Sequence, residues 1–128
     1  MVADTLRNLR PARIGHGINA VKDLALVERI AETGVVLEVC PGSNVYLGAV
    51  ASWREHPIEK LRGREVKVTV STDDPPFFGT TMTREWEMLE RAFGWNEADL
   101  TALNRVALGA AFCDEATKTR IGKILEAA

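Results

Sequence analysis

Three short segments with the pattern of strands, each leading directly into polar or turn-forming residues, constrain the fold of this chain more than any other feature. These predicted strands begin at Ala12, Val35 and Val66, about 23 and 31 residues apart, and helical patterns lie between them. This spacing matches β-α-β units, whose strands are parallel. The middle strand is a largely continuous apolar run, rich in β-branched residues, which is typical of a strand buried on both faces. The sequence therefore predicts an α/β fold built on a small parallel sheet.

Helical patterns precede, separate and follow these strands, so that three helices come after the last strand. The predicted helices, in chain order, cover residues 2–9, 19–33, 57–61, 84–93, 97–110 and 115–127. Asn96 and Asp114 are the predicted N-caps of the last two, because both side chains can accept a hydrogen bond from a free helical N–H. The chain has neither a repeat nor a polar linker, and residues 1–128 are therefore predicted to form a single unit.

The carboxyl ends of the predicted strands carry the residues with the most distinctive chemistry. His16 follows the first strand between two glycines, residues 41–44 follow the second, and Asp73 and Asp74 follow the third. In parallel α/β sheets and barrels, ligands bind at this edge. We therefore expect the three groups to face one cavity.

Asp73 and Asp74 give the sharpest signal. Two adjacent carboxylates at the end of a buried strand are costly to desolvate unless a cation or hydrogen-bond donors compensate them. The alternative is that they only cap the loop 75–79, and the residues alone favour the two interpretations about equally. A histidine at a strand end is more often structural than functional. His16 could nevertheless act as a general acid or base near neutral pH.

Other polar residues have weaker functional signals. Cys40, Ser43 and Asn44 could supply a thiol, a hydroxyl and an amide to the same cavity, although Cys40 ends an apolar run, as inert buried thiols do. His56 precedes Pro57 in a predicted surface turn, so we expect no function for it. The three tryptophans are predicted to pack against the core: Trp53, Trp86 and Trp95.

Composition limits the partners and the compartment. A net charge of −2 and a pI of about 5.7 argue against nucleic-acid binding, and no apolar run reaches the roughly 20 residues that cross a membrane. Two distant cysteines make no disulfide framework, so we expect a cytoplasmic protein. With only two histidines, the chain can hardly supply the three or four ligands that zinc takes.

Three segments, taken in order, resemble the C-terminal part of the adenosine deaminases: 13–17 (RIGHG), 37–44 (LEVCPGSN) and 71–75 (STDDP). That family is a zinc-dependent (β/α)₈ TIM barrel that hydrolyses the 6-amino group of adenosine or deoxyadenosine. The resemblance implies that the three strands are strands six to eight of such a barrel, with extra C-terminal helices. It is closer to adenosine deaminases than to adenine deaminases, which tend to carry Asp at the position of Gly15.

The resemblance also implies a role for each matching residue. His16 would be the catalytic histidine that orients the metal-bound water and helps to take its proton, Asp73 would be a zinc ligand, and Asp74 would contact N7 of the purine. The family's other zinc histidines and its catalytic glutamate have no counterpart in this sequence. We therefore expect a C-terminal segment that is inactive alone and completes its site with the N-terminal part of a barrel.

Two alternatives remain open. The substrate could be another purine such as adenine, because the family's substrate-selecting residues in the first half of the barrel are absent here. Alternatively, the chain could be a non-catalytic fragment, because a sheet of three parallel strands leaves both edges unpaired. Such edges favour self-association.

Overall fold

A computed structural model describes residues 1–127 and shows a parallel sheet of three strands. The strands β1 (Arg13–Gly15), β2 (Val36–Val39) and β3 (Val68–Val70) lie side by side in the order of the sequence. Both pairs are parallel. The predicted α/β class and strand direction are therefore confirmed.

Eight α-helices surround this sheet within the described residues: α1 (Val2–Leu9), α2 (Leu24–Thr33), α3 (Pro41–Tyr46), α4 (Ile58–Arg62), α5 (Pro75–Phe78), α6 (Met82–Phe93), α7 (Glu97–Ala110) and α8 (Glu115–Ala127). The bounds of α1, α7 and α8 agree with the prediction. Asn96 caps α7 in a capping box with Asp99, and Asp114 accepts a hydrogen bond from the N–H of Thr117. Both predicted N-caps are therefore confirmed.

Three predicted segments differ from the structure. The helix predicted over 19–33 is divided at Asp23, which caps α2 by accepting from the N–H of Leu26, and a 3₁₀ helix (Ile18–Lys22) precedes it. The segments 41–44 and 75–79, predicted as a turn and a loop, contribute to the short helices α3 and α5. Each begins with a proline, which is compatible with the first helical turn because its missing N–H would have no partner there.

The two faces of the sheet have different partners. The register aligns Ile14, Leu37 and Val68 on one face, where they join the hydrophobic core. Side chains alternate along a strand, so Glu38 lies on the opposite face, where it forms an ion pair with Arg13 at 3.0 Å. The prediction that β2 is buried on both faces is therefore wrong at Glu38, which is partly exposed.

The tryptophans pack as predicted. Trp95 is buried and donates a hydrogen bond from Nε1 to Glu59 at 2.6 Å, while Trp53 and Trp86 lie against the core. Among residues 1–127, no helix has both the length and the apolar character that crossing a membrane requires.

Candidate active site

His16 and Asp73 lie at the carboxyl ends of β1 and β3 in a backbone conformation that non-glycine residues rarely adopt. Their φ angles are 55° and 61°, in the left-handed region. The N–H of His16 still donates to the carbonyl of Glu38 at 2.8 Å, so the chain turns only after it has paired with β2. Such conformations cost about 1–3 kcal/mol and cluster at functional sites.

The side chains of His16 and Asp73 converge. The distance from His16 Nε2 to Asp73 Oδ2 is 3.7 Å. Cys40, at the end of β2, completes a group in which one donor atom from each residue lies within 4.8 Å of the others. The three strand ends therefore meet at one place, as expected from a parallel sheet.

Helix α3 brings two buried polar side chains to this group. Ser43 donates from Oγ to Asp73 Oδ2 at 2.7 Å, and Asn44 Nδ2 lies 3.1 Å from His16 Nδ1. Both polar groups that the sequence analysis named as candidates for the cavity therefore contact the converging pair: the Ser43 hydroxyl contacts Asp73, and the Asn44 amide contacts His16. They fix the orientation of the Asp73 carboxylate and the His16 ring.

His56 lies inside the protein and not in a surface turn, so that prediction is wrong. Its side chain is buried, its Nδ1 accepts from the N–H of Ile58 at 3.1 Å, and its Nε2 lies 3.1 Å from Asn44 Oδ1. The sequence His-Pro is typical of a turn, but packing in the folded chain buries it. Burial lowers the pKa of His56 to about 4, so the ring is neutral at pH 7.

Cys40 has the properties of an inert thiol, as predicted. Burial, reinforced by the negative charge of Asp73, raises the pKa of Cys40 to about 11. The thiol is therefore protonated at neutral pH and is a poor nucleophile. It could act as a ligand only if a metal displaced its proton.

Glu85 is a supporting residue that the sequence analysis missed. Glu85 is fully buried. Its carboxylate accepts one hydrogen bond from the N–H of Gly42 at 2.9 Å and another from the hydroxyl of Thr80 at 2.7 Å. Because burial outweighs these two hydrogen bonds, the pKa of Glu85 is raised. Its contact with Gly42 holds the first turn of α3. Its position four residues before Leu89, on the buried face of α6, is the signal that could have revealed it.

Asp74 is exposed and occupies the N-cap position of α5. Its side chain does not cap that helix, although its backbone carbonyl accepts from the N–H groups of Phe77 and Phe78. The side chain of Asp73 binds Ser43 instead. The capping alternative is therefore not supported for either carboxylate.

The donor chemistry of the group fits a zinc ion. Imidazole nitrogen, thiolate sulfur and carboxylate oxygen are the atoms that zinc takes as ligands. Ser43 binds one oxygen of Asp73, and a carboxylate can serve a cation through the other. Catalytic zinc takes three protein ligands. Within this group the Cys40 thiol is protonated, and the resemblance assigns His16 to the attacking water. Asp73 is then the expected ligand from this chain, and the others would come from further polypeptide.

Fold and site together define an α/β protein that gathers ionisable groups at the carboxyl edge of a parallel sheet. Adenosine deaminases are one family of this class, and the family model for adenosine deaminase matches residues 1–127 of the chain. The chain belongs to the adenosine deaminase family. The resemblance found in the sequence is thereby confirmed.

Two curated relatives cover almost the whole chain. An adenine deaminase of Rhizobium rhizogenes is 50% identical over 120 residues, which are 94% of this chain and 37% of that protein. An adenine deaminase of Agrobacterium fabrum is 48% identical over 120 residues, with the same coverage. The chain therefore spans about 37% of the length of these relatives. Their names favour the adenine alternative, so Gly15 does not support a preference for adenosine.

Solved structures match as well. The adenine deaminase of Arthrobacter aurescens superposes with a TM-score of 0.92 at 29% identity, over 98% of this chain and 38% of that one. A zinc-bound amidohydrolase from Burkholderia ambifaria has a TM-score of 0.82 at 30% identity, over 97% of this chain and 35% of that one. The fold observed here is thus that of a part of these enzymes.

Proposed function

We propose that this chain forms part of the active site of a zinc-dependent enzyme that hydrolyses adenine to hypoxanthine and ammonia. The observation that carries the proposal is the convergence of His16 and Asp73 at 3.7 Å in a chain of the adenosine deaminase family. The names of the relatives support adenine as the substrate. Adenosine, a purine nucleoside, remains the second candidate because the family bears its name.

In this proposal β1, β2 and β3 are the sixth to eighth strands of a (β/α)₈ barrel. The likeness to part of a larger adenine deaminase structure supports this arrangement. The partly polar face of the sheet that carries Glu38 would then line the barrel interior, with the core-forming face against the outer helices. The remaining strands and zinc ligands would come from the N-terminal part of such a barrel.

The reaction replaces the bond between C6 and the amino group with a bond between C6 and the oxygen of water. Zinc, when bound, lowers the pKa of a coordinated water to about 7, which supplies a nucleophile at neutral pH. Asp73 would hold the metal, and the hydrogen bond from Ser43 fixes the orientation of its carboxylate. His16 forms a hydrogen bond that orients the attacking water, and Asp74 contacts the purine at N7.

Exchange of the matched segment in the Rhizobium rhizogenes relative tests the substrate. We expect a hybrid that carries this chain in place of that segment to release hypoxanthine from adenine, measured by chromatography with ammonia release. Conversion of adenosine to inosine in preference to adenine would overturn the substrate assignment. A folded, zinc-loaded hybrid that deaminates neither purine would overturn the function.

The roles of His16 and Asp73 are separable in the same hybrid. We expect Asp73→Ala to lose zinc and activity together, because a metal ligand is removed. His16→Ala should retain most of the zinc and lower kcat about 10²–10³-fold, the usual cost of removing one positioned hydrogen-bond donor from an active site. Zinc content by elemental analysis and initial rates measure both effects. Equal loss of zinc in the two variants would contradict the assigned roles.

A further inference from the structure

A line of hydrogen bonds leads from the backbone of α4 to His16, and its first donor is unambiguous. The N–H of Ile58 can only donate, and it lies 3.1 Å from His56 Nδ1. Nδ1 of His56 is therefore an acceptor and carries no proton. Since His56 is neutral at pH 7, its single ring proton lies on Nε2.

The next bond fixes the carboxamide of Asn44. The Nε2–H of His56 needs an acceptor, and the Asn44 atom at 3.1 Å is Oδ1. The amide nitrogen of Asn44 must then face away from His56, and it lies 3.1 Å from His16 Nδ1. Because an amide nitrogen only donates, Nδ1 of His16 is an acceptor.

We propose that Asn44 and His56 are positioning residues that hold neutral His16 as the tautomer protonated on Nε2, the nitrogen that faces Asp73. The importance of this tautomer for catalysis rests on the proposed function, whereas the tautomer itself follows from the relay. With its proton on Nε2, neutral His16 directs that N–H toward Asp73 Oδ2, 3.7 Å away, and cannot accept a proton at this nitrogen. His16 therefore orients the attacking water as a donor, and does not take its proton as the family resemblance implied.

The two positioning residues of the relay, Asn44 and His56, are buried, and their packing holds them in place. The exposed fraction is 5% for Asn44 and 2% for His56, and Glu85 anchors the helix that carries Asn44. Histidine in water populates both tautomers, since neither nitrogen has a fixed partner. Within the relay, the Nδ1-protonated tautomer of His16 would set two donors against each other.

Nitrogen-15 NMR of the imidazole rings tests this in the 128-residue chain without metal or substrate. The chain has only two histidines, so four ring-nitrogen signals are expected. At about pH 8, above the ordinary histidine pKa, we expect His16 to show a proton on Nε2 and none detectable on Nδ1. A measurable Nδ1-protonated population of His16, including the mixture expected of an unfolded chain, overturns the proposal.

The variant Asn44→Asp replaces the amide donor that faces His16 Nδ1 with an acceptor. A carboxylate can only accept, so the Nδ1-protonated form of His16 should rise from below detection to the major form. His56 should keep its proton on Nε2, and its unchanged signals verify the fold within the same spectrum. The matched control Asn104→Asp makes the same chemical change at an exposed site on α7 and should leave both rings unchanged.

A His16 ring that is unaltered in Asn44→Asp, beside unchanged His56 signals, would overturn the relay. If the variant unfolds, the wild-type spectrum alone decides. These results are independent of the proposed function, because loss of adenine deamination in the hybrid enzyme leaves the tautomer unaffected.

Discussion

At the scale of single residues, the burial of His56 makes stability depend on pH. Burial lowers the pKa of His56 from the ordinary value of 6.5 to about 4. Between these values the unfolded chain binds a proton that the folded chain does not bind. The free energy of unfolding should therefore fall as the pH falls through this interval, by about 3 kcal/mol in total. Urea denaturation at a series of pH values measures this loss.

The control for this prediction is His56→Gln, which cannot be protonated. Its amide can still donate to Asn44 Oδ1, the acceptor that His56 uses. We expect the variant to lose stability less steeply than the wild type between pH 6.5 and about 4. Parallel pH profiles for the two proteins would contradict the assignment of the effect to His56.

Glu85 should change the pH dependence of the free energy of unfolding in the opposite direction to His56. Because burial raises the pKa of Glu85, the folded chain binds the proton more tightly, and its stability falls as the pH rises through that pKa. In Glu85→Gln, the amide oxygen can accept from Gly42 and the amide nitrogen can donate to the Thr80 hydroxyl. The free energy of unfolding of the variant relative to wild type should therefore increase with pH, as measured by urea denaturation.

The control for Glu85 is Glu87→Gln, an identical change at an exposed site on the same helix. It should show little of this pH-dependent gain, because no buried charge is removed. If Glu85→Gln were less stable than wild type at every pH, the buried carboxylate would stabilise the fold through its charge.

The residues that sequence reasoning found and missed differ in the range of their contacts. Residue type and strand-end position single out His16 and Asp73 as candidates, and the family resemblance supplies their roles. His56 and Glu85 depend on partners that are distant in sequence: Asn44 is 12 residues from His56, and Gly42 is 43 residues from Glu85. Neither partner can be assigned from local pattern, since long-range packing alone brings them together.

At the scale of elements, hydrophobic periodicity predicted the strands and the long helices but not the short helices α3 and α5. Both short helices are rich in residues that usually form turns or loops. Proline begins each, and α3 is held by the distant carboxylate of Glu85 rather than by its own helical propensity. Tertiary contacts therefore decide a conformation that the local sequence leaves open.

Gly15 and Gly17 flank His16 in the turn between β1 and the 3₁₀ helix, so the same substitution can be compared at the two positions. At Gly17 the φ angle is 69°, and an added Cβ would lie 2.8 Å from Leu37 Cδ2. At Gly15 an added Cβ would meet nothing within 4 Å. Gly17→Ala should therefore lower the free energy of unfolding by about 1–3 kcal/mol, and Gly15→Ala should change it by less than about 0.5 kcal/mol. Equal urea midpoints for the two variants would contradict this account.

At the scale of the whole molecule, the sequence predicted a parallel sheet, but the barrel was implied only by family resemblance. Within residues 1–127, β1 and β3 each pair with β2 alone. Strand periodicity determines which residues form a sheet and says nothing about what covers its edges. The partners of those edges therefore remain proposals: the N-terminal part of a barrel, or a second copy of the chain.

The open edges and incomplete donor set predict the behaviour of the 128-residue chain in isolation. We expect it to elute from a sizing column above its 14.1 kDa mass, increasingly so with concentration, because unpaired strands bind one another. With adenine and zinc it should release no hypoxanthine, since the family's other zinc histidines and its catalytic glutamate have no counterpart in this sequence. Addition of the Rhizobium rhizogenes relative without its matched segment should reduce self-association and restore deamination, because both require the same strand edges. A compact monomer at all concentrations would contradict edge pairing, and enzyme-like turnover by the chain alone would show that it completes a metal site by itself.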